Sequence, residues 1–157
     1  MALKSDRNEV QTDISFFMNE VATRGGVASV STGGSGSAMD QGAALVTYTA
    51  ASGKAPMGIL LNDMVNLDLT RQHINQHKDE VQKGGKVTIL RKGYVVTNNL
   101  SCHTAAAAGD LAYVQLNGAI ANSGCVSDDT GRAGSSIGTF LSSIDQDGYA
   151  KVEINLP

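Results

Sequence analysis

The chain has no tryptophan and only three phenylalanines and four tyrosines among 157 residues. That shortage removes the large rings that usually dominate a core, so the interior has to be thin and aliphatic, and a domain of this kind gains further apolar burial by oligomerising. Charged residues are also sparse, at 17%. With a net charge of −3 there is no sequence-wide electrostatic case for binding nucleic acid or an anionic membrane surface. No apolar run approaches the roughly 20 residues that span a bilayer. The first residues, Met1 to Thr23, mix charge throughout instead of forming an apolar signal core, so neither export nor membrane insertion is expected. Two cysteines, Cys102 and Cys125, are too few for a disulfide scaffold and are expected as free thiols.

What the chain does have is glycine, eighteen of them against two prolines, which suits short strands joined by tight turns. The polar segment before Gly25 is interrupted by the patch Ile14-Ser15-Phe16-Phe17-Met18. Ile14, Phe17, Met18 and Val21 are spaced for one face of a short helix, and the same run suits a strand in an extended arm; the arm is the preferred reading. Its apolar residues either dock on a partner or pack on their own domain. After a short β-type run, Val27 to Ser31, comes the Gly/Ser loop Thr32 to Ser37, then a strand, turn, strand unit made of Ala43 to Thr49, Ala51 to Lys54 and Met57 to Leu61. Asn62 to Gln82 is read as a loop or extended excursion, with a short helix capped at Thr70 as the alternative. Val87 to Leu90 and Tyr94 to Thr97 read as a hairpin closed by Arg91-Lys92-Gly93, with Gly93 supplying a positive φ. Leu111 to Leu116 and Ala119-Ile120 read as a second hairpin around Asn117-Gly118. Ala121 to Ser136 reads as a loop. A terminal hairpin is expected from Ile137 to Leu156, whose last strand alternates Ala150, Val152, Ile154 and Leu156 with Lys151, Glu153 and Asn155. Strands in series without helix alternation predict an all-β fold, an antiparallel barrel or sandwich, divided as an N-terminal arm over residues 1–25 and a β domain over 26–157.

The candidate chemistry is thin. His73 and His77 have a metal-ligand spacing only if that segment is helical, and Ile74 stands where a zincin needs glutamate. Cys102-His103 are neighbours, and adjacency alone does not place a thiolate against an imidazole, because neighbouring side chains usually point in different directions. Gly33 to Ser37 fails the nucleophile-elbow pattern at Ser37, and Gly53-Lys54-Ala55 lacks the Ser or Thr of a phosphate loop. Asp145-Gln146-Asp147-Gly148 resembles the start of a calcium loop but lacks its closing glutamate, and an Asp-Gly turn explains it equally well. No acid, base and nucleophile converge, so no enzyme, cofactor or metal is expected.

Several pieces in order, Ala44-Leu45-Val46-Thr47-Tyr48, Pro56-Met57-Gly58-Ile59-Leu60, Lys83-Gly84-Gly85-Lys86-Val87-Thr88, Gly109-Asp110-Leu111-Ala112-Tyr113, Ile137-Gly138-Thr139-Phe140-Leu141 and Asp147-Gly148-Tyr149-Ala150-Lys151-Val152, resemble the head decoration, or cement, proteins of tailed bacteriophages. The resemblance covers about residues 26 to 156. It implies a β-tulip-like domain made in the host cytoplasm and placed on the capsid exterior, where a homotrimer binds the major capsid protein and stabilises the shell. It adds no catalytic residues. It also implies that the arm bridges coat subunits, with Ile14, Phe16, Phe17 and Met18 as the capsid or intersubunit contact. The competing reading is a carbohydrate- or receptor-binding β module of a virion fibre, against which the shortage of aromatics counts.

Overall fold

The computed structural model describes residues 3–32, 44–48, 55–63, 80–101, 106–122 and 132–157. Twelve strands account for the regular structure of these residues: β1 Leu3–Asp13, β2 Phe17–Met18, β3 Ala22–Thr23, β4 Val27–Thr32, β5 Leu45–Thr47, β6 Pro56–Asp63, β7 Glu80–Val81, β8 Val87–Thr97, β9 Leu111–Gln115, β10 Ile120–Ala121, β11 Arg132–Phe140 and β12 Ala150–Asn155. The all-β expectation holds, and of its two forms the sandwich fits: the main sheet is large, mixed only by a two-residue parallel pairing of β2 with β5, and does not close into a barrel.

The spine of the sheet is β8. Leu90 is paired with both Thr12 and Ile59, and Val95 with both Arg7 and Val152. A strand has only two edges, so β1 runs along one edge while β12 and β6 share the other end to end. The junction lies at Arg91, whose carbonyl accepts the Leu156 N–H at 3.1 Å. Two wings leave that shared edge, β12-β11-β9-β10 on one side and β6-β4-β5-β2 on the other.

The wings enclose the first core cluster, with Val27, Ile59 and Leu61 from one and Val114, Ile137, Phe140, Val152 and Ile154 from the other. A second cluster, Met18, Ala22, Ala28, Val46, Leu60, Val81, Val87 and Ile89, covers the opposite face of β4 and β6. Burial on both faces explains why β6 carries the unbroken apolar run Ile59-Leu60-Leu61 where a one-sided strand would alternate. By contrast β12 alternates as expected, with Ala150, Val152 and Ile154 buried and the residues between them turned outward.

Several expectations are corrected. Arg91-Lys92-Gly93 closes no hairpin: Val87–Thr97 is one strand of 11 residues. Gly93 does have the expected positive φ, at 138°, but it uses it inside a strand, because a Cβ there would lie 1.9 Å from the Asn8 carbonyl oxygen of β1. β5 and β6 are both present yet are not neighbours, since β4 lies between them. Part of the loop expected from Ala121 to Ser136 is strand, in β10 and at the start of β11. The Asn117-Gly118 hairpin is present, pairing Ile120 with Val114, with Gly118 at φ 78°. The terminal hairpin pairs Phe140 with Val152 and turns through Gly148 at φ 81°. Within Asn62 to Gln82 the described residues extend β6 to Asp63 and form β7, while His73 and His77 lie outside them, as do Cys102, His103, Cys125 and the run Gly33 to Ser37. Among the described residues no helix is long and apolar enough to cross a membrane.

Candidate interaction surface

The N-terminal residues join the main sheet. β1 pairs antiparallel with β8 from Leu3 opposite Thr97 to Asp13 opposite Ile89, with irregularities between Leu3 and Arg7 and on either side of Gln11. Only Leu3 is buried, and Ser5 to Thr12 are all exposed, Val10 by 69%. Such a strand has no amphipathic period, because an edge strand that buries a single side chain needs none.

Polar clips replace burial. Lys4 Nζ stands 4.0 Å from the centre of the Tyr149 ring and 3.5 Å from Asp145 Oδ2. On the neighbouring strands Lys151 Nζ lies 3.8 Å from the Tyr94 ring and 3.6 Å from Asp6 Oδ2, while the Tyr94 hydroxyl donates to Asp6 Oδ1 at 3.5 Å. Cation–ring contacts at exposed sites contribute about 0.5–1 kcal/mol each and exposed ion pairs about 0–1 kcal/mol, so β1 is held by its backbone ladder and several small terms. Asp145 sits in the turn before β12, where it accepts the backbone N–H groups of Tyr149 at 2.7 Å and Asp147 at 3.0 Å. The Tyr149 N–H, aided by the Lys4 charge, holds its carboxyl below the ordinary carboxylate range.

A pH dependence follows from the direction of that shift. A carboxylate whose native pKa is depressed contributes stability that is complete above its unfolded pKa and disappears as the pH falls through the native value. Amide protection along β1, taken relative to the intrinsic exchange rate at each pH, is expected to fall on acidification through that window, and to fall less in Asp145→Asn, which has no charge to lose. An equal fall in both proteins would show that Asp145 does not help to hold the strand.

The patch singled out by sequence sits beside β1. Met18 is fully buried in the second cluster, and Phe16 packs against that cluster half-exposed. Ile14 and Phe17 are also half-buried, with Lys86 Nζ 5.6 Å from the Phe17 ring centre. Met18 is thus enclosed by its own chain, whereas Ile14, Phe16 and Phe17 keep accessible surface. Sequence reasoning passed over Lys4, Asp6 and Arg7; the available signal was a charged run of both signs ahead of the apolar patch.

Two shallow concavities lie among the described residues. One, of about 370 Å³, is lined by Val21, Thr23, Tyr48, Asn98, Asn99 and Asn117. Tyr48 is structural there: its hydroxyl donates to the Thr23 carbonyl and accepts the Gly26 N–H at 3.0 Å. Loss of hydration pushes its phenol above the ordinary range against the opposing Gly26 hydrogen bond, and the nearby Glu20 charge adds to the rise. The other concavity, of about 240 Å³, lies on the outer face of β9, β11 and β12 between Leu111, Thr139 and Glu153. Neither offers an open aromatic platform: the ring lining the first is Tyr48, partly buried and held by its hydroxyl, and no ring lines the second. Among the described residues no three His, Cys, Asp or Glu side chains are grouped as metal ligands.

A search of curated proteins finds no match. A family model described as structural cement protein (E217 gp24/Pam3 gp6) matches residues 9–155. The match runs from within β1 to the end of β12 and so takes in both wings and all of both core clusters but Leu3 and Leu156; the chain belongs to the structural cement protein family of bacteriophages.

Proposed function

We propose that the chain binds the outer surface of a phage capsid as a homotrimer, contacting the major capsid protein and stabilising the shell without catalysing a reaction. The family match over residues 9–155 is the observation that carries this reading. The surface supports it. A cement needs broad, shallow contacts distributed over several coat subunits, where weak terms sum through multivalency, and both concavities are shallow while β1 is exposed from Ser5 to Thr12. Ile14, Phe16 and Phe17 form the proposed apolar part of the contact, with Phe16 packed against the cluster that holds Met18.

The test uses empty shells of the phage that encodes the chain, prepared without it. Purified full-length chain is expected to bind them saturably and to raise their resistance to heat, and its mass at micromolar concentration is expected to be that of three chains. A monomer that leaves shells unbound would overturn the reading. The fibre reading would be favoured instead by retention on immobilised glycans.

A further inference from the structure

We propose that β1 carries a second contact between copies of this chain, an isologous edge-to-edge pairing of β1 with β1 centred on Asn8. This goes beyond shell binding and does not depend on it.

The outer edge of β1 has no ladder partner among the described residues, because β8 occupies only its inner edge. Charge decides what can occupy it. When two copies of a strand pair antiparallel about a two-fold axis perpendicular to the sheet, matching faces must meet, so one residue lies opposite its own copy. With Arg7 or Glu9 at that position a like charge faces itself, which is unfavourable. With Asn8 there, Arg7 faces the partner copy's Glu9 and Glu9 the partner copy's Arg7. Asn8 is also the midpoint of Leu3–Asp13, so this register overlaps the full strand. Arg7 and Glu9 already lie on one face in the single chain, with Arg7 Nε 2.6 Å from Glu9 Oε1 and both side chains about one-third exposed. Pairing would join two such couples into a four-charge ring.

Edge strands ordinarily use charges and bulges to prevent association. Here the charges reject the two adjacent registers and accept the one with the fullest overlap, which is how charge patterns confer specificity. The ladder irregularities leave Arg7 to Glu9 as the regular stretch, so the contact is short. It is weak between free chains and strengthened wherever copies are held side by side on a shell.

The experiment uses the full-length chain with Cys102→Ser and Cys125→Ser, so that an added Asn8→Cys is the lone thiol. On mild oxidation at high concentration a disulfide-linked dimer is the expected main product, because paired strand positions lie within reach of such a bond. Adding Arg7→Glu or Glu9→Arg should each lower the yield roughly tenfold, and mixing these two variants should restore it as heterodimer, since each then faces its opposite. The single-chain Arg7–Glu9 couple stays broken in the mixture, so recovery reports contact between copies. No dimer from Asn8→Cys, a yield indifferent to both charge changes, or a mixture that fails to recover would each overturn the proposal. The measurement needs no shell, so failure of shell binding leaves it readable.

Discussion

Phe140→Ala is expected to lower the unfolding free energy by about 3–5 kcal/mol, the usual cost of emptying a buried phenylalanine site. Phe140 has the largest fully buried side chain among the described residues, and of the three phenylalanines it is the one wholly enclosed. The rest of the first cluster is aliphatic, so it holds no second ring to fill the void. The walls are fixed as well. The Phe140 N–H donates to the Asp110 carbonyl and its carbonyl accepts the Gly109 N–H, both at 2.8 Å, and the residue pairs with Val152 on β12. A domain of this size has a total stability of roughly 5–15 kcal/mol, so the variant should lose a large share of it and melt on the order of 10 °C lower. Phe140→Leu should recover most of the loss. If Phe140→Ala melts within a few degrees of the parent, the two wings are not held by the cluster between them.

The same scarcity of rings made the core readable in advance. A chain with few aromatics has to rely on aliphatic alternation, and where a strand buries one face the alternation is plain, as from Ala150 to Leu156. Turn chemistry was equally direct at Asn117-Gly118 and at Gly148, where glycine supplies positive φ. What misled was β8. Its polar centre, Arg91-Lys92-Gly93, looks like a turn, yet it lies where one neighbour strand hands over to the next. Arg91 is occupied there by the Asp13 carboxylate at 3.9 Å and the Pro157 carbonyl. Period-2 reasoning assumes that a strand keeps one environment along its length, and β8 changes partners midway.

The interaction surface was legible in part, for a related reason. The patch from Ile14 to Met18 was visible as apolar residues needing cover, but sequence could not say that Met18 is covered by Leu60, Val87 and Ile89 of its own second cluster. β1 was legible only as polar sequence. Its strand character comes from the edge of β8 rather than from its own propensity, and tertiary context of this kind overrides local preference.

Two glycines on the long strands should separate a removable strand from a fixed one. At Gly93 an added Cβ would lie 1.9 Å from the Asn8 oxygen of β1, and at Gly58 one would lie 2.1 Å from the Leu90 oxygen of β8; both residues have positive φ, 138° and 144°. Non-glycine residues in such backbone regions cost of order 1–3 kcal/mol, and the carbonyl collision adds to that unless something moves. In Gly93→Ala what can move is β1, which buries only Leu3. The expected result is lost amide protection along β1, with the melting transition of the rest still cooperative and only modestly lowered. Gly58→Ala has no such exit, because β6 is enclosed by Ile59, Leu60 and Leu61, each fully buried and divided between the two clusters. Here the whole domain should be destabilised, by at least as much as in Phe140→Ala. Equal global losses in the two variants would mean that β1 is as integral to the domain as β6, and that a strand read as clipped on by lysines and tyrosines is held by something stronger.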